Sequence, residues 1–235
     1  MILYSKIIKE LEQAANSQKA EFFPRFFKAG KGEYAEGDKF VGIVIPDLRV
    51  IAKKYYKEVS LVEIGKFLNS KIHEYRLLAL FMLVYKYEKS KDELCKTELV
   101  NLYLTNIKQV NNWDLVDLSC YKLLGDYLKD KDKGILYDFA KSNDLWKQRI
   151  AIITTMAFIK KYDFQDTINI AGILVNHKHD LIHKAVGWML REVGKRNREE
   201  EEQFLKIHYQ TMPRTMLRYA IEKFDEETRL KYLKG

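Results

Sequence analysis

Trp113 and Asp117 stand four residues apart in Asn112-Trp-Asp-Leu-Val-Asp-Leu-Ser119, and Lys184 and Trp188 stand four apart in a second stretch. On a helix, residues at that spacing share a face, so each stretch offers an indole beside a charge. Two indole faces can grip a deoxyribose by its C–H edges or a cationic base by the ring quadrupole. A carboxylate between them, near a helix N-terminus whose dipole favours an anion, would stabilise a developing oxocarbenium ion and orient water toward it. Arg149, in Leu145-Trp-Lys-Gln-Arg-Ile-Ala151, adds a guanidinium that holds a phosphate in bidentate fashion, as a lysine does not. These groups together describe hydrolysis of an N-glycosidic bond. A plainer reading stands beside that one: both tryptophans are core residues, as tryptophan usually is, and Asp117 is a solvated or salt-bridged surface residue.

Asp117 also interrupts a row. Arg76, Arg149, Lys184 and Arg218 align in similar helical contexts at spacings of 73, 35 and 34 residues. Inside the first, double-length gap, 41 residues after Arg76 and 32 before Arg149, lies Asp117. A line of cations broken by one carboxylate suits a polyanion-binding surface that carries a single reactive group. Arg191 and Lys195, four residues apart on the stretch that holds Trp188, extend the candidate phosphate contacts, although such pairs more often mark a solvated face.

The elements that must position these residues are helices. Three prolines in 235 residues, and apolar residues recurring at i, i+3, i+4 and i+7 over most of the length, predict an all-α protein. The expected helices run over about 2–17, 19–28, 46–57, 60–69, 72–88, 92–105, 112–129, 132–141, 144–161, 164–176, 180–196, 199–208, 213–223 and 225–233. Ser60 with Glu63 reads as a capping box, Asn112, Asp144 and Asp163 as N-caps, and Pro46 and Pro213 as first-turn prolines. Long and short helices alternate with a period of 32–41 residues, the mark of stacked helical hairpins of the HEAT type. The fold expected is a HEAT-like repeat superhelix, a single domain over 1–235, with one helix of each pair lining a concave basic face. The segment 30–42 departs from the pattern, with four of the eleven glycines, and is expected to protrude as a short β-hairpin or structured loop.

Composition narrows the partners. A hydrophobic content of 47%, with 15 tyrosines, 12 phenylalanines and 3 tryptophans, excludes general disorder. A formal charge of +8 favours an anionic partner, with nucleic acid ahead of acidic lipid or acidic protein. Cys95 and Cys120 have neither zinc-site nor disulfide-framework spacing, which fits a reducing compartment and two core thiols. The amphipathic start MILYSKIIKELEQ is unlike a signal peptide, and no apolar run approaches about 18 residues, so a soluble cytoplasmic protein with no membrane partner is expected. His177, His179 and His183 have ligand-like types but no clear carboxylate partner, and read as a solvated turn and helix start rather than a metal site. Gly30-Lys-Gly32 is not a P-loop, because no Gly-Lys-Ser/Thr follows. No metal or cofactor is implied, and a monomer is expected.

The stretches Asn112–Ser119, Leu124-Gly-Asp126, Leu145–Ala151 and Ile182-His-Lys-Ala-Val-Gly-Trp-Met-Leu-Arg-Glu192 together resemble the AlkD family of HEAT-like-repeat DNA glycosylases, over roughly residues 20 to 220. The resemblance implies that Asp117 matches the catalytic aspartate, Trp113 and Trp188 the tryptophans of the cleft, and Arg149 the active-site arginine. It further implies excision of cationic lesions such as 3-methyladenine and 7-methylguanine from double-stranded DNA without a deep base-flipping pocket. Alkylation at N3 or N7 makes the base a good leaving group, so charge and water suffice. Two features depart from the type member: Asn112 replaces one tryptophan of a pair, and 30–42 reads as an insertion. The AlkF and AlkG branches carry a hairpin insertion and bind branched DNA without excision, which supplies the alternative of a non-catalytic HEAT-like-repeat protein that binds branched or damaged DNA. A protein scaffold with no nucleic-acid role is a third reading, disfavoured by the basic row and the Trp–Asp pair.

Overall fold

The computed structural model describes residues 2–234 as an all-α protein; among them the only β-type pairing is an isolated parallel bridge between Lys39 and Ile72. The chain divides into two compact units, one up to Ser119 and one from Cys120.

The first unit contains α1 (Ile2–Ala14), α2 (Ser17–Phe26), α3 (Ile45–Tyr55), α4 (Leu61–Leu68), α5 (His73–Lys89), α6 (Glu93–Thr105) and α7 (Trp113–Asp117). Its centre is α5, apolar on nearly every side and buried from His73 through Val84, against which α3, α4, α6 and α7 pack. A helix that is apolar all round has no solvent face to offer, so its neighbours must enclose it. Ser60 and Glu63 form the expected reciprocal capping box that starts α4.

The 30–42 segment is a structured loop and not a hairpin. Lys39 bridges to the start of α5, its amide donating to the Lys71 carbonyl at 3.0 Å and its carbonyl accepting from the His73 amide at 2.8 Å. The amides of Val41, Gly42 and Ile43 donate to Glu74 Oε1 at 3.1, 2.7 and 3.4 Å. Gly42 has φ +81°, and a Cβ there would sit 2.0 Å from the Asn16 carbonyl oxygen, so no other residue fits. Ala35 and the Asp38 side chain are buried. Of the two forms expected for this segment, the structured loop is the one observed: its backbone hydrogen bonds go to α5 and the residues just before it, not across a hairpin.

The second unit contains a π-helical turn, Tyr121–Gly125, then α8 (Asp126–Leu128), α9 (Gly134–Lys141), α10 (Leu145–Thr154), α11 (Met156–Ile159), α12 (Gln165–Leu174), α13 (Asp180–Gly194), α14 (Arg198–His208), α15 (Arg214–Ala220) and α16 (Glu226–Lys234). Here α10 and α13 pack on each other, and α13 is flanked by α12, α14 and α15. At Gly187 a Cβ would meet the Met216 carbonyl at 2.4 Å and Tyr219 Cβ at 2.5 Å, so the glycine is what lets α15 lie directly on α13. Asp144 caps α10 as expected, accepting from the Trp146 and Lys147 amides, whereas α12 is capped by Phe164 with no side-chain bond from Asp163.

Two expected long helices are interrupted. The one over 112–129 breaks after Asp117, and the one over 144–161 breaks at Thr155. At each break a hydroxyl bonds back to its own helix: Ser119 donates to the Leu115 carbonyl and Thr155 to the Ile152 carbonyl. Such back-bonding competes with the backbone ladder and bends helices.

Candidate functional site

Within the first unit, α7 carries Trp113 at its start and Asp117 at its end. Asn112 is wholly buried and begins this helix: its Oδ1 accepts from the Trp113 amide at 2.8 Å, and its Nδ2 donates to the Phe27 carbonyl at 3.4 Å. The residue that departs from the type member is therefore a helix cap and a tie to the end of α2. Trp113 is half-buried and stacked on Phe27, with ring centroids 5.7 Å apart and planes 22° apart, while Phe26 meets it edge-on at 6.0 Å. Phe27 thus occupies one indole face.

Asp117 is half-buried and is the last residue of α7, so the expected help from a helix N-terminus is absent. The first-turn acid is Asp114, which is buried and engaged elsewhere. His73 Nε2 lies 2.8 Å from Asp114 Oδ2 and His73 Nδ1 lies 3.3 Å from Asp38 Oδ2. Arg76 Nη2 donates to the same Asp38 oxygen at 2.7 Å and to Asn111 Oδ1 at 3.0 Å. Two carboxylates, one imidazolium and one guanidinium make a buried chain without net charge that joins α5, α7 and the 30–42 loop. Burial alone would lower the His73 pKa, but Asp114 and then Asp38 outweigh it and push it up to about 9, so the ring is cationic near neutral pH. Arginine and histidine together hold the Asp38 carboxyl below its ordinary range against the opposing effect of burial.

This network corrects the reading of Arg76. The residue is 2% exposed, and its guanidinium also donates to the Ser70 carbonyl at 3.0 Å, so it braces the 30–42 loop instead of facing a polyanion. No spacing in the sequence marks the network, because Asp38, His73 and Asp114 come from segments 35 and 41 residues apart.

In the second unit, Trp188 is half-buried on α13, one turn after Lys184. Lys184 pairs with Asp180, Lys195 with Glu192 at 2.6 Å, and Arg191 with Glu222. Arg218 on α15 is exposed. Arg149 is 5% exposed and donates through Nη1 to the Leu181 carbonyl, which ties α10 to the first turn of α13. The histidines are structural here: His179 caps α13 by accepting from the Leu181 amide, His177 lies 3.0 Å from Gln148 and accepts from the His179 amide, and His183 Nε2 donates to the His177 carbonyl. Gly125, in the Leu124-Gly-Asp126 motif, seats the π-helical turn, since a Cβ there would lie 2.6 Å from Ala157 Cβ. Cys120 is buried and Cys95 half-buried, both as free thiols. Among the described residues, no helix is long and apolar enough to cross a membrane.

Against known proteins, the model of a family described as DNA alkylation repair enzyme matches residues 7–224. Among solved structures, a predicted DNA alkylation repair enzyme from Enterococcus faecalis is similar over 90% of this chain and 97% of its own, with a TM-score of 0.71 at 19% identity. At that identity the likeness is one of fold. No curated protein matches the chain.

Proposed function

We propose that this chain, which belongs to the DNA alkylation repair enzyme family, is a monofunctional DNA glycosylase that hydrolyses the N-glycosidic bond of cationic alkylated purines, 3-methyladenine and 7-methylguanine, in double-stranded DNA. The observation that supports this best is the division of labour on α7. Of its two carboxylates, Asp114 is buried and matched to an imidazolium, while Asp117 is the one that solvent reaches, one helical turn from a braced indole.

In this reading the C1′–N bond of the alkylated nucleotide breaks heterolytically. The electron pair goes to the cationic base, which leaves neutral, and positive charge develops on the deoxyribose. Asp117 faces that charge and orients the water that adds to C1′ and gives up a proton. Trp113, backed by Phe27, presents its remaining indole surface to the sugar and the cationic base, and we assign a like role to Trp188. Arg149 is assigned to a phosphate of the same strand, in line with the resemblance. Lys184, Arg191, Lys195 and Arg218 are the proposed backbone contacts; three of them hold an acidic neighbour at the surface, and such pairs are worth only about 0–1 kcal/mol, so a phosphate can displace them.

The family model runs across the boundary at Ser119, which supports one domain over 1–235. We further propose a cytoplasmic monomer that needs neither metal nor cofactor, since an already cationic base requires only charge stabilisation and water. The test is release of free base from methylated duplex DNA, followed by chromatography, with abasic sites scored as alkali-labile breaks. Free base appearing above spontaneous depurination together with an equal number of abasic sites is the expected result. Tight, salt-sensitive DNA binding without any release would replace this reading with the non-catalytic one.

A further inference from the structure

The last helix, α16, lies beyond the residues that the family model matches, yet it helps to form a cleft in the second unit. Arg214 of α15 donates through Nη2 to the Leu233 carbonyl at 2.5 Å, which ties α15 to the end of α16. The cleft, of about 260 Å³, is lined by Arg218 of α15, by Ile221 and Glu222 of the turn that follows, and by Arg229 and Leu233 of α16. Cavities that enclose small organic ligands run to roughly 300–1,000 Å³, so this one suits a single small group. Arg218 and Arg229 are exposed, and neither guanidinium has a hydrogen-bond or ion-pair partner among the described residues. Their acidic neighbours are engaged elsewhere. Asp225 accepts from the Thr228 amide at 2.9 Å, and Glu222 pairs with Arg191 and, at 3.1 Å, with Lys223. Lys231, on the same helix, is by contrast paired with Glu227 at 2.7 Å. The cleft thus carries two unpaired guanidinium groups and one carboxylate already shared between two other cations.

We propose that Arg218 and Arg229 together hold one phosphodiester of the DNA backbone, which makes α16 part of the DNA-binding surface. Two like charges lining one cleft repel each other, and an anion between them turns that repulsion into attraction. Guanidinium forks match phosphate oxygens two at a time, as an ammonium does not. Buried Ile221 and half-buried Leu233 keep part of the wall apolar, so the charges are less screened there than on an open surface. Glu222 does not oppose the anion, because Arg191 and Lys223 balance its charge. The phosphate is assigned to DNA because the cleft continues a surface already given that role: Arg218 lines it, and Arg191 reaches it through Glu222. The inference rests on the proposed DNA partner, not on excision of a base.

The test is the slope of log affinity against log salt for undamaged duplex DNA, measured on the full chain. Wild type is compared with Arg218→Ala, Arg229→Ala, the double variant and Lys231→Ala, with the thermal transition of each checking its fold. Each arginine variant should lose about 1 from the slope, because the phosphate needs both guanidinium groups. The double variant should also lose about 1 and not about 2, since one phosphate is at stake. Lys231→Ala, which removes a charge from the same helix outside the cleft, should leave the slope as it is. An unchanged slope in Arg229→Ala, a loss of about 2 in the double variant, or an equal loss in Lys231→Ala would each overturn the proposal. Inorganic phosphate is titrated alongside by phosphorus NMR. Its binding to wild type but not to Arg229→Ala, with the DNA slope unchanged, would make this a site for free phosphate instead. Slope changes as expected without base release would sink only the glycosylase reading, and base release with an unchanged slope only this one.

Discussion

Glu201, in the first turn of α14, gives the sharpest quantitative prediction. It is 1% exposed, its Oε1 has no hydrogen-bond partner, and its carboxyl lies against Gly194, where a Cβ would be only 1.6 Å from Oε2. Desolvation, only partly offset by Arg198 and Arg191, pushes its pKa from an ordinary 4.5 to about 8. The folded chain therefore holds this proton more tightly than the unfolded chain does. Stability from the protonated form is fully present below about pH 4.5, declines above it, and is lost by the time pH passes about 8. At about 1.4 kcal/mol per pH unit, the gap corresponds to an upper limit of about 5 kcal/mol. Glu201→Gln keeps the shape and removes the titration. Urea unfolding of both proteins from pH 5 to pH 9 should show near-equal stability at the acid end and a glutamine variant more stable by roughly 2–5 kcal/mol at the alkaline end, the difference growing steadily between. Taking the difference between the two proteins cancels the titration of His73, which is in the other unit. A difference that stays flat with pH, or that favours the wild type in alkali, would refute the burial argument.

Other outcomes follow from the first unit and the basic residues. Asp114→Ala leaves the His73 imidazolium buried without its nearer partner and should cost about 3–5 kcal/mol in chemical denaturation. Gly42→Ala, at φ +81° against the Asn16 carbonyl, should lower the thermal midpoint and loosen the 30–42 loop, visible as faster exchange of the Val41 and Ile43 amides. Arg76→Ala should lower stability while leaving the salt dependence of DNA binding intact, whereas Arg218→Ala should reduce the slope of log affinity against log salt by about 1.

Much of this was legible in the residues, and the exceptions share causes. Helix positions followed from apolar periodicity, and the capping box at Ser60 and the cap at Asp144 sit where their residue types placed them. Periodicity could not show the breaks at Ser119 and Thr155, because the apolar pattern continues through both while a hydroxyl diverts a carbonyl. That local break is also why Asp117 lies at the end of a short helix and not near the start of a long one. The alignment of Arg76 with later cations put it on a helix, which α5 is. It could not give its exposure, which Asp38 decides from a loop that looked like a separate hairpin. The N-cap role of Asn112 was legible in its residue type and place, whereas its tie to the Phe27 carbonyl, 85 residues away along the chain, was not.

The central claim rests on the Asp117 charge. A carboxylate about 4 Å from a sugar cation, at the effective dielectric of about 20 that suits a half-buried site, contributes about 4 kcal/mol, and Asn in its place removes it. Single-turnover release of 3-methyladenine and 7-methylguanine from methylated duplex DNA, wild type against Asp117→Asn, measures this directly. The account predicts a rate lower by about 10²–10³-fold in the variant, with DNA affinity changed only slightly. Equal rates from the two proteins would contradict it.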